Sequence, residues 1–284
     1  MSKQKIDTRA IGLDVGLEFV RWLTGAENLH YGLWDGLDVN ASNLRAAQEA
    51  YTDKLFKLLP DTPVRILDIG GGAGETAKKL IALGHSVEIV VPSALLAEHC
   101  RKNAPEAIVH ECMFEDYAGT NDFDLCLFSE SYQYIPLESG VPRCLELLKP
   151  GGKIIISDCF RSERFSIAKG KATVGGGHPI ADFRAKLATW PVDVLSEDDI
   201  TIGTAPSVEI EQGLFNVLGY ALTRVDEDLQ NSKPKLRWML DKVVHALMNE
   251  RKRSRLDQRL NQQTRNREVF KANNIYLMLD LRKT

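Results

Sequence analysis

The sequence predicts a doubly wound α/β fold on a largely parallel sheet, and three observations predict it. Residues 64–80 (VRILDIGGGAGETAKKL) run from a β-branched strand through an acidic residue, Asp68, into four glycines within five positions (Gly70, Gly71, Gly72, Gly74), and a helix begins near Glu75. From there to about residue 200, apolar runs of strand length alternate with helical stretches, the pattern of right-handed β-α crossovers. Residues 205–273 then read as helix almost throughout, and residues 275–281 (IYLMLDL) alternate like one last strand.

Taken in order, residues 1–60 read as helical. Leu17, Phe19, Val20, Trp22 and Leu23 cluster ahead of Gly25, a loop dense in His, Tyr and Trp follows (NLHYGLWDG), and residues 41–59 form a helix that Asn40 or Ser42 caps. Pro60 and Pro63 mark the turn into strand one at 64–68. Its crossover helix is 75–83, followed by strand two at 86–91 (SVEIVV), a helix at 93–103 and a short strand three at 108–111. Strand four is 123–128 (FDLCLF), a helix surrounds 137–147, and a Lys-Pro-Gly-Gly turn at 149–152 leads to strand five at 153–158 (KIIISD). A glycine-rich loop at 174–179 (VGGGHP), a helix at 180–188 and strand six at 192–200 complete the region before the helical insertion, which breaks near 232–234.

A chain of 284 residues suits one large α/β domain with insertions. No apolar run approaches the ~20 residues that span a bilayer, and the N-terminal residues hold no apolar core long enough for a signal peptide. A cytoplasmic protein without a membrane span is therefore expected. The five cysteines (Cys100, Cys112, Cys126, Cys144, Cys159) form no C-x-x-C pair, which argues against a zinc knuckle, a thioredoxin-like site or a disulfide framework. They read as small buried hydrophobes, and no metal is expected. Residues 251–284 hold ten Lys/Arg against three Asp/Glu, leaving the rest of the chain at −10 within a net charge of −3. The basic residues alternate with Leu256, Leu260, Val269 and Phe270 at helical spacing, so a solvated helix face is the reading, and nucleic acid is disfavoured.

Two phosphate-binding motifs fail on inspection. The dinucleotide fingerprint beginning at Gly70 needs glycine where Glu75 stands and an acidic residue where Val91 stands, and no Gly-Lys-Ser/Thr of a P-loop is present. The pattern Asp68-x-Gly70-x-Gly72-x-Gly74 instead resembles motif I of class I S-adenosylmethionine (SAM)-dependent methyltransferases. FDLCLFSESYQYIP resembles that family's fourth-strand segment, and LKPGGKIIISD resembles its turn into strand five; the likeness covers roughly residues 64–200. It implies a Rossmann-like seven-stranded sheet whose last strand is antiparallel, SAM as cofactor, and O-, N- or C-methylation of a small, largely apolar molecule. Glycines let bare backbone approach the cofactor, and Asp68 attracts its ammonium group.

Two departures from the family stand out. Strand two usually ends in Asp or Glu, which accepts the ribose hydroxyls; here Val91, Pro92 and Ser93 occupy the cofactor-contact positions, and Glu88 lies three residues upstream on the opposite face. The acidic residue often found near the adenine amine falls at Cys112 or Met113, with Phe114 next, so Met113 and Phe114 are expected to pack on adenine. The alternative reading is a protein that keeps the fold, has lost methyl transfer and binds a ligand or partner instead.

The HYGLWDG segment resembles the H-Y-G-Y-W loop of methyltransferases acting on small molecules and lipids, which implies Tyr31 near the methionine carboxylate and Trp34 in the pocket wall. Ligands of doubly wound sheets sit beyond the carboxyl ends of the strands, so Ser129 and Glu130 should border the sulfonium and Tyr132 should orient the acceptor or face the S-methyl cation. Tyr134, Asp158 and Arg161 are the substrate candidates, Arg161 as partner for a carboxylate. His178, in the Gly-Gly-Gly-His-Pro loop read as a mobile lid, is the first general-base candidate, and His30 is the second. The expected division is an N-terminal helical cap (1–60), a SAM-binding core (61–204), a helical lid (205–273) and a final core strand (274–284). Leu214, Phe215, Leu218, Leu222, Trp238, Leu240 and Val244 of the lid are candidates to line the acceptor cavity, and the lid is a candidate homodimer surface.

Overall fold

The computed structural model describes residues 8–167, 174–261 and 265–284. Residues 1–7 of the expected cap, 168–173 of the expected core and 262–264 of the expected lid lie outside the described residues. Seven strands form one sheet: β1 (Arg65–Ile69), β2 (Ser86–Val90), β3 (Ile108–His110), β4 (Phe123–Ser129), β5 (Leu148–Arg161), β6 (Val192–Asp199) and β7 (Asn274–Lys283). Their order is β3-β2-β1-β4-β5-β7-β6. β1 to β5 run parallel, whereas β7 runs antiparallel to both β5 and β6. β5 is longer than expected because the Lys-Pro-Gly-Gly turn is absorbed into it. Pairing with β4 already begins at Phe123↔Leu148 and shifts register before Leu125↔Lys153, the signature of a bulge.

Side chains alternate across the sheet, so each strand feeds two cores. On one face Ile66, Ile89, Leu125, Leu127, Ile155 and Met278 pack with Leu55 of α2, Ala77 and Leu80 of α3, and Ala97 and Cys100 of α4. These helices are α1 (Thr8–Thr24), α2 (Leu44–Phe56), α3 (Glu75–Ala82) and α4 (Ala94–Asn103). On the other face Leu67, Val90, Cys126, Phe128, Ile154, Ile156 and Leu279 pack with Val141, Cys144 and Phe183. The covering helices there are α5 (Gly140–Leu147) and α7 (Ile180–Leu187), and the short α6 (Glu163–Ile167) lies between β5 and α7 in the chain. Asn40 does act as a cap, through Oδ1 accepting from Asn43 N–H, but of a short 3₁₀ turn that precedes α2.

Between β6 and β7 the chain forms α8 (Thr201–Thr204), α9 (Ser207–Ser232), α10 (Pro234–Leu247), α11 (Glu250–Asn261) and α12 (Arg267–Asn273). The root of α9 is anchored: Ser207 and Val208 are buried, Ser207 Oγ accepts from Gly32 N–H and from Trp34 Nε1–H at 2.9 Å, and Glu209 holds Arg267. α10 has no buried residue. Leu218, Leu222, Trp238, Leu240 and Val244 are all exposed, which corrects the expectation that they line an enclosed acceptor cavity.

Candidate functional site

Strand order reverses between β1 and β4, the switch point at which doubly wound sheets open a crevice beyond the strand ends. The chain meets there twice. After β1 the backbone turns through Gly70, Gly72 and Gly74, all at positive φ (74°, 56° and 88°). After β4 it turns through Glu130, the one non-glycine residue at positive φ among the described residues (59°). The two turns touch, since Ser131 Oγ donates to Ile69 C=O.

Most of the glycines are required by the protein itself. A Cβ on Gly70 would stand 2.4 Å from Ser131 Cβ, and one on Gly74 would stand 2.9 Å from Cys100 Cα. One on Gly71 would stand 2.7 Å from Asp68 Oδ2 and 2.8 Å from Ile89 Cγ2. Of the four, only Gly72 has room, the nearest atom being Leu29 Cδ1 at 3.9 Å. The bare backbone therefore serves packing at three positions and access at one.

Three carboxyl groups line this edge, and burial pushes each upward. Asp68 is 1% exposed and its Oδ2 has no hydrogen-bond partner, and burial alone raises it to about 7. Asp158 accepts from Gln133 N–H (2.9 Å) and Cys159 N–H (2.7 Å), yet burial still raises it to about 7. Glu130 Oε1 accepts from Tyr31 N–H (2.6 Å) and Tyr276 O–H (2.7 Å). Burial raises Glu130 to about 8, the negative charges of Asp158 and Glu211 add to the rise, and the two hydrogen bonds oppose it. Tyr276 in turn lies 3.0 Å from Tyr51 O–H, which donates to Ser157 Oγ at 2.7 Å and sits 3.3 Å from Ser129 Oγ. A positive charge placed at this edge would ionise these groups and be stabilised by them.

The cap closes over this edge. Tyr31 packs its ring against Phe270 and Tyr276 (centroids 5.9 and 6.3 Å apart). Glu27 accepts from His99 Nδ1 (2.8 Å) and from Asn103 Nδ2 (2.6 Å), and the same Asn103 nitrogen donates to Ala73 C=O in the glycine turn (2.9 Å).

Several expected site residues stand elsewhere. Tyr132 is fully buried on the far core face, edge-on to Phe128 and Phe183, so it cannot meet an acceptor or a sulfonium. Phe114 lies in the same core against Phe128, and Met113 is exposed. Trp34 belongs to the joint between cap and insertion, packing with Leu44 and Ala47, rather than to a pocket wall. His30 stacks on Tyr51 at 4.5 Å and burial lowers it to about 4, which leaves it neutral and enclosed. His178 Nε2 lies 2.8 Å from Ile135 C=O and 3.2 Å from Tyr132 C=O, so this nitrogen carries hydrogen and is unable to take a proton. Nor is its loop a free lid: a Cβ on Gly177 would stand 1.9 Å from Cys159 O, and one on Gly175 would stand 2.7 Å from Asn274 Nδ2.

Val91 is buried, Pro92 is exposed, and Ser93 Oγ accepts from Leu96 N–H as the cap of α4. Glu88 is committed to Arg65, His110 and Tyr117. No carboxylate thus replaces the one missing after β2. Tyr134 stands exposed at the rim. Arg161 lies over the Phe165 ring at 5.4 Å with its Nε buried and unpartnered, and its backbone N–H donates to His178 C=O. Sequence reasoning missed Tyr51, Tyr276 and Ser157. Tyr51 and Tyr276 sit in no motif, Ser157 lies inside the LKPGGKIIISD segment without being singled out there, and the alternation of residues 275–281 signals only that Tyr276 faces one side of the sheet.

The profile of a methyltransferase domain family matches residues 66–152, the span from β1 to the start of β5. The seven-stranded order with β7 antiparallel is likewise that of the class I SAM-dependent methyltransferase fold. Among curated relatives, an uncharacterized methyltransferase of Mycobacterium tuberculosis is 25% identical over 128 residues, 44% of this chain and 53% of the relative. The match thus spans about half the length of that relative. A ubiquinone biosynthesis O-methyltransferase of Xanthomonas oryzae pv. oryzae is 29% identical over 176 residues, 55% of this chain and 72% of the relative. Among solved structures, a cyclopropane synthase from Mycobacterium tuberculosis superposes with a TM-score of 0.67 at 16% identity, covering 95% of each chain. A geranyl diphosphate C-methyltransferase from Streptomyces coelicolor A3(2) gives 0.62 at 13% identity, covering 99% of this chain and all of the other. These two show the shared fold.

Proposed function

We propose that this chain binds SAM at the Gly70–Gly74 turn and methylates a small, largely apolar molecule on O, N or C. The observation that carries the reading is the buried, unpartnered Oδ2 of Asp68 beside a turn with open space at Gly72. When bound, SAM supplies an electrophilic methyl group on a sulfonium, and alignment with an acceptor gives much of the acceleration. Asp68 would take the ammonium group, and Glu130 and Asp158 would place negative charge beside the sulfonium. Leu29 and Tyr31 would exclude water from above. The adenosine end would lie beyond the end of β2 without a carboxylate for its sugar, a loss on the order of 1.5–3 kcal/mol per charged hydrogen bond.

The acceptor class is supported by the relatives' names, ubiquinone biosynthesis and geranyl diphosphate, both pointing to small molecules with apolar bodies. We propose a cytoplasmic setting, which the five unpaired thiols suit. Among the described residues no helix is long and apolar enough to cross a membrane. The macromolecular partner proposed is a second copy of the chain.

Calorimetry with SAM and with its demethylated product at pH 8 tests the reading. Saturable binding of both, weakened tenfold or more by Asp68→Asn, is expected. Absence of binding of either at millimolar concentration overturns the enzymatic reading and favours the ligand- or partner-binding alternative.

A further inference from the structure

The outer half of α9 and the whole of α10 carry twelve exposed large apolar side chains, among them Leu218, Leu222 and Val225 on α9 and Leu240, Val243 and Leu247 on α10. Across these six, exposure runs from 44% at Leu240 to 77% at Leu247. The twelve together present on the order of 1,000 Å², beyond the roughly 300–600 Å² of the largest patch on a typical monomer and close to the ~800 Å² that each partner contributes to a stable interface.

Their spacing says what shape of partner fits. Positions 218, 222 and 225, and again 240, 243 and 247, step by alternating three and four residues. That is the 3.5-residue repeat of helices packed in bundles. Two seams on two successive antiparallel-connected helices form half of a four-helix bundle.

Charge says which helix meets which. The end of α9 carries Asp226, Glu227 and Asp228 against Arg224, a net −2, whereas residues 233–247 carry Lys233, Lys235, Arg237 and Lys242 against Asp241, a net +3. Between α9 and α10 an ion pair already forms within the chain, Arg237 with both carboxylate oxygens of Asp226 (2.8 and 3.0 Å). Like helices side by side would repel. An α9 laid against the α10 of another copy pairs opposite signs twice, once on each side of a two-fold axis, which is the self-complementarity an isologous dimer needs.

We propose that this chain forms a homodimer in which the α9–α10 hairpins of two copies pack as an antiparallel four-helix bundle, each α9 against the partner's α10. The proposal uses no residue of the Gly70–Gly74 turn, so it stands or falls apart from the methyl-transfer reading.

Sedimentation equilibrium of the full chain from 1 to 50 µM tests it. Wild type is expected at twice the chain mass. Val225→Lys and Val243→Lys, both at exposed positions, should each weaken dimerisation at least tenfold while circular dichroism and melting temperature stay those of the folded protein. Asp228→Lys alone should weaken the dimer, and adding Lys235→Asp should restore it, a rescue that general hydrophobic association would not show. A wild-type chain that is monomeric at 50 µM overturns the proposal. So does a dimer indifferent to all four substitutions, and so does a monomer that instead co-sediments with anionic phospholipid vesicles, which would make a lipid surface the occupant.

Discussion

Glu130 is the residue at which the chemistry of this site is most directly measurable, and Glu130→Gln is the perturbation. Its carboxyl rises from an ordinary 4.5 to about 8 in the folded chain, mainly through burial. The folded state therefore holds the proton more tightly than the unfolded state does. The stability that goes with it is fully present below pH 4.5 and is lost as pH rises through 8. Between pH 4.5 and 7.5 the loss amounts to roughly 4 kcal/mol, at about 1.4 kcal/mol for each pH step of one. Glutamine keeps Oε1 as acceptor for Tyr31 N–H and Tyr276 O–H and has no proton to lose. Urea unfolding of both proteins at half-unit pH steps from 5 to 8.5 is the assay. The two should agree near pH 5, and the variant should become the more stable by about 4 kcal/mol at the alkaline end, on the order of 10 °C in melting temperature for a chain of this size. Asp68 and Asp158 titrate in the same window in both proteins, so the difference between the curves isolates Glu130 from them and from the other groups around it, Tyr31, Tyr51, Tyr276 and Glu211. A difference that stays flat across the range would refute the reasoning and show that the Glu130 carboxyl is hydrated.

Other expectations concern the same edge. SAM affinity should fall about tenfold for each pH unit below 7, because Asp68, raised to about 7, is then neutral and offers no charge to an ammonium; titration calorimetry from pH 5.5 to 8.5 reads it, and a flat profile counts against Asp68 as the anchor. Gly71→Ala should cost roughly 1–3 kcal/mol of stability and abolish SAM binding, since its Cβ meets Asp68 Oδ2 and Ile89 Cγ2; a variant with wild-type stability and affinity would show that the turn has slack. Tyr276→Phe removes the 2.7 Å bond to Glu130 and should move the Glu130 titration further upward, at a cost of roughly 1.5–3 kcal/mol above pH 8; an unmoved midpoint in the same unfolding series would place the hydroxyl outside the network. His178→Gln keeps an N–H donor for the Ile135 and Tyr132 carbonyls and should leave methyl transfer within a few-fold of wild type; a thousandfold loss would restore His178 as a base.

The sequence by itself determined the class of sheet, the strand-turn-helix at residues 64–80 and the absence of an acidic residue at Val91. All are local matters, because a β-branched run, a glycine cluster and a missing carboxylate are written in neighbouring positions. It also located Asp68, Glu130 and Tyr31, whose segments carry recurrent strings. What those residues do was decided by tertiary structure. Three of the four glycines answer to Ser131, Asp68, Ile89 and Cys100, side chains that reach the turn only when β1, β2, β4 and α4 assemble. Tyr132 follows the right strand but turns into the far core, and His30 and His178 have the right chemistry but spend it on Tyr51 and on backbone carbonyls. Tyr51 and Tyr276 stand 225 residues apart along the chain and meet at 3.0 Å. No spacing rule links them, because a hydrogen bond between α2 and β7 exists only after the last strand has entered the sheet.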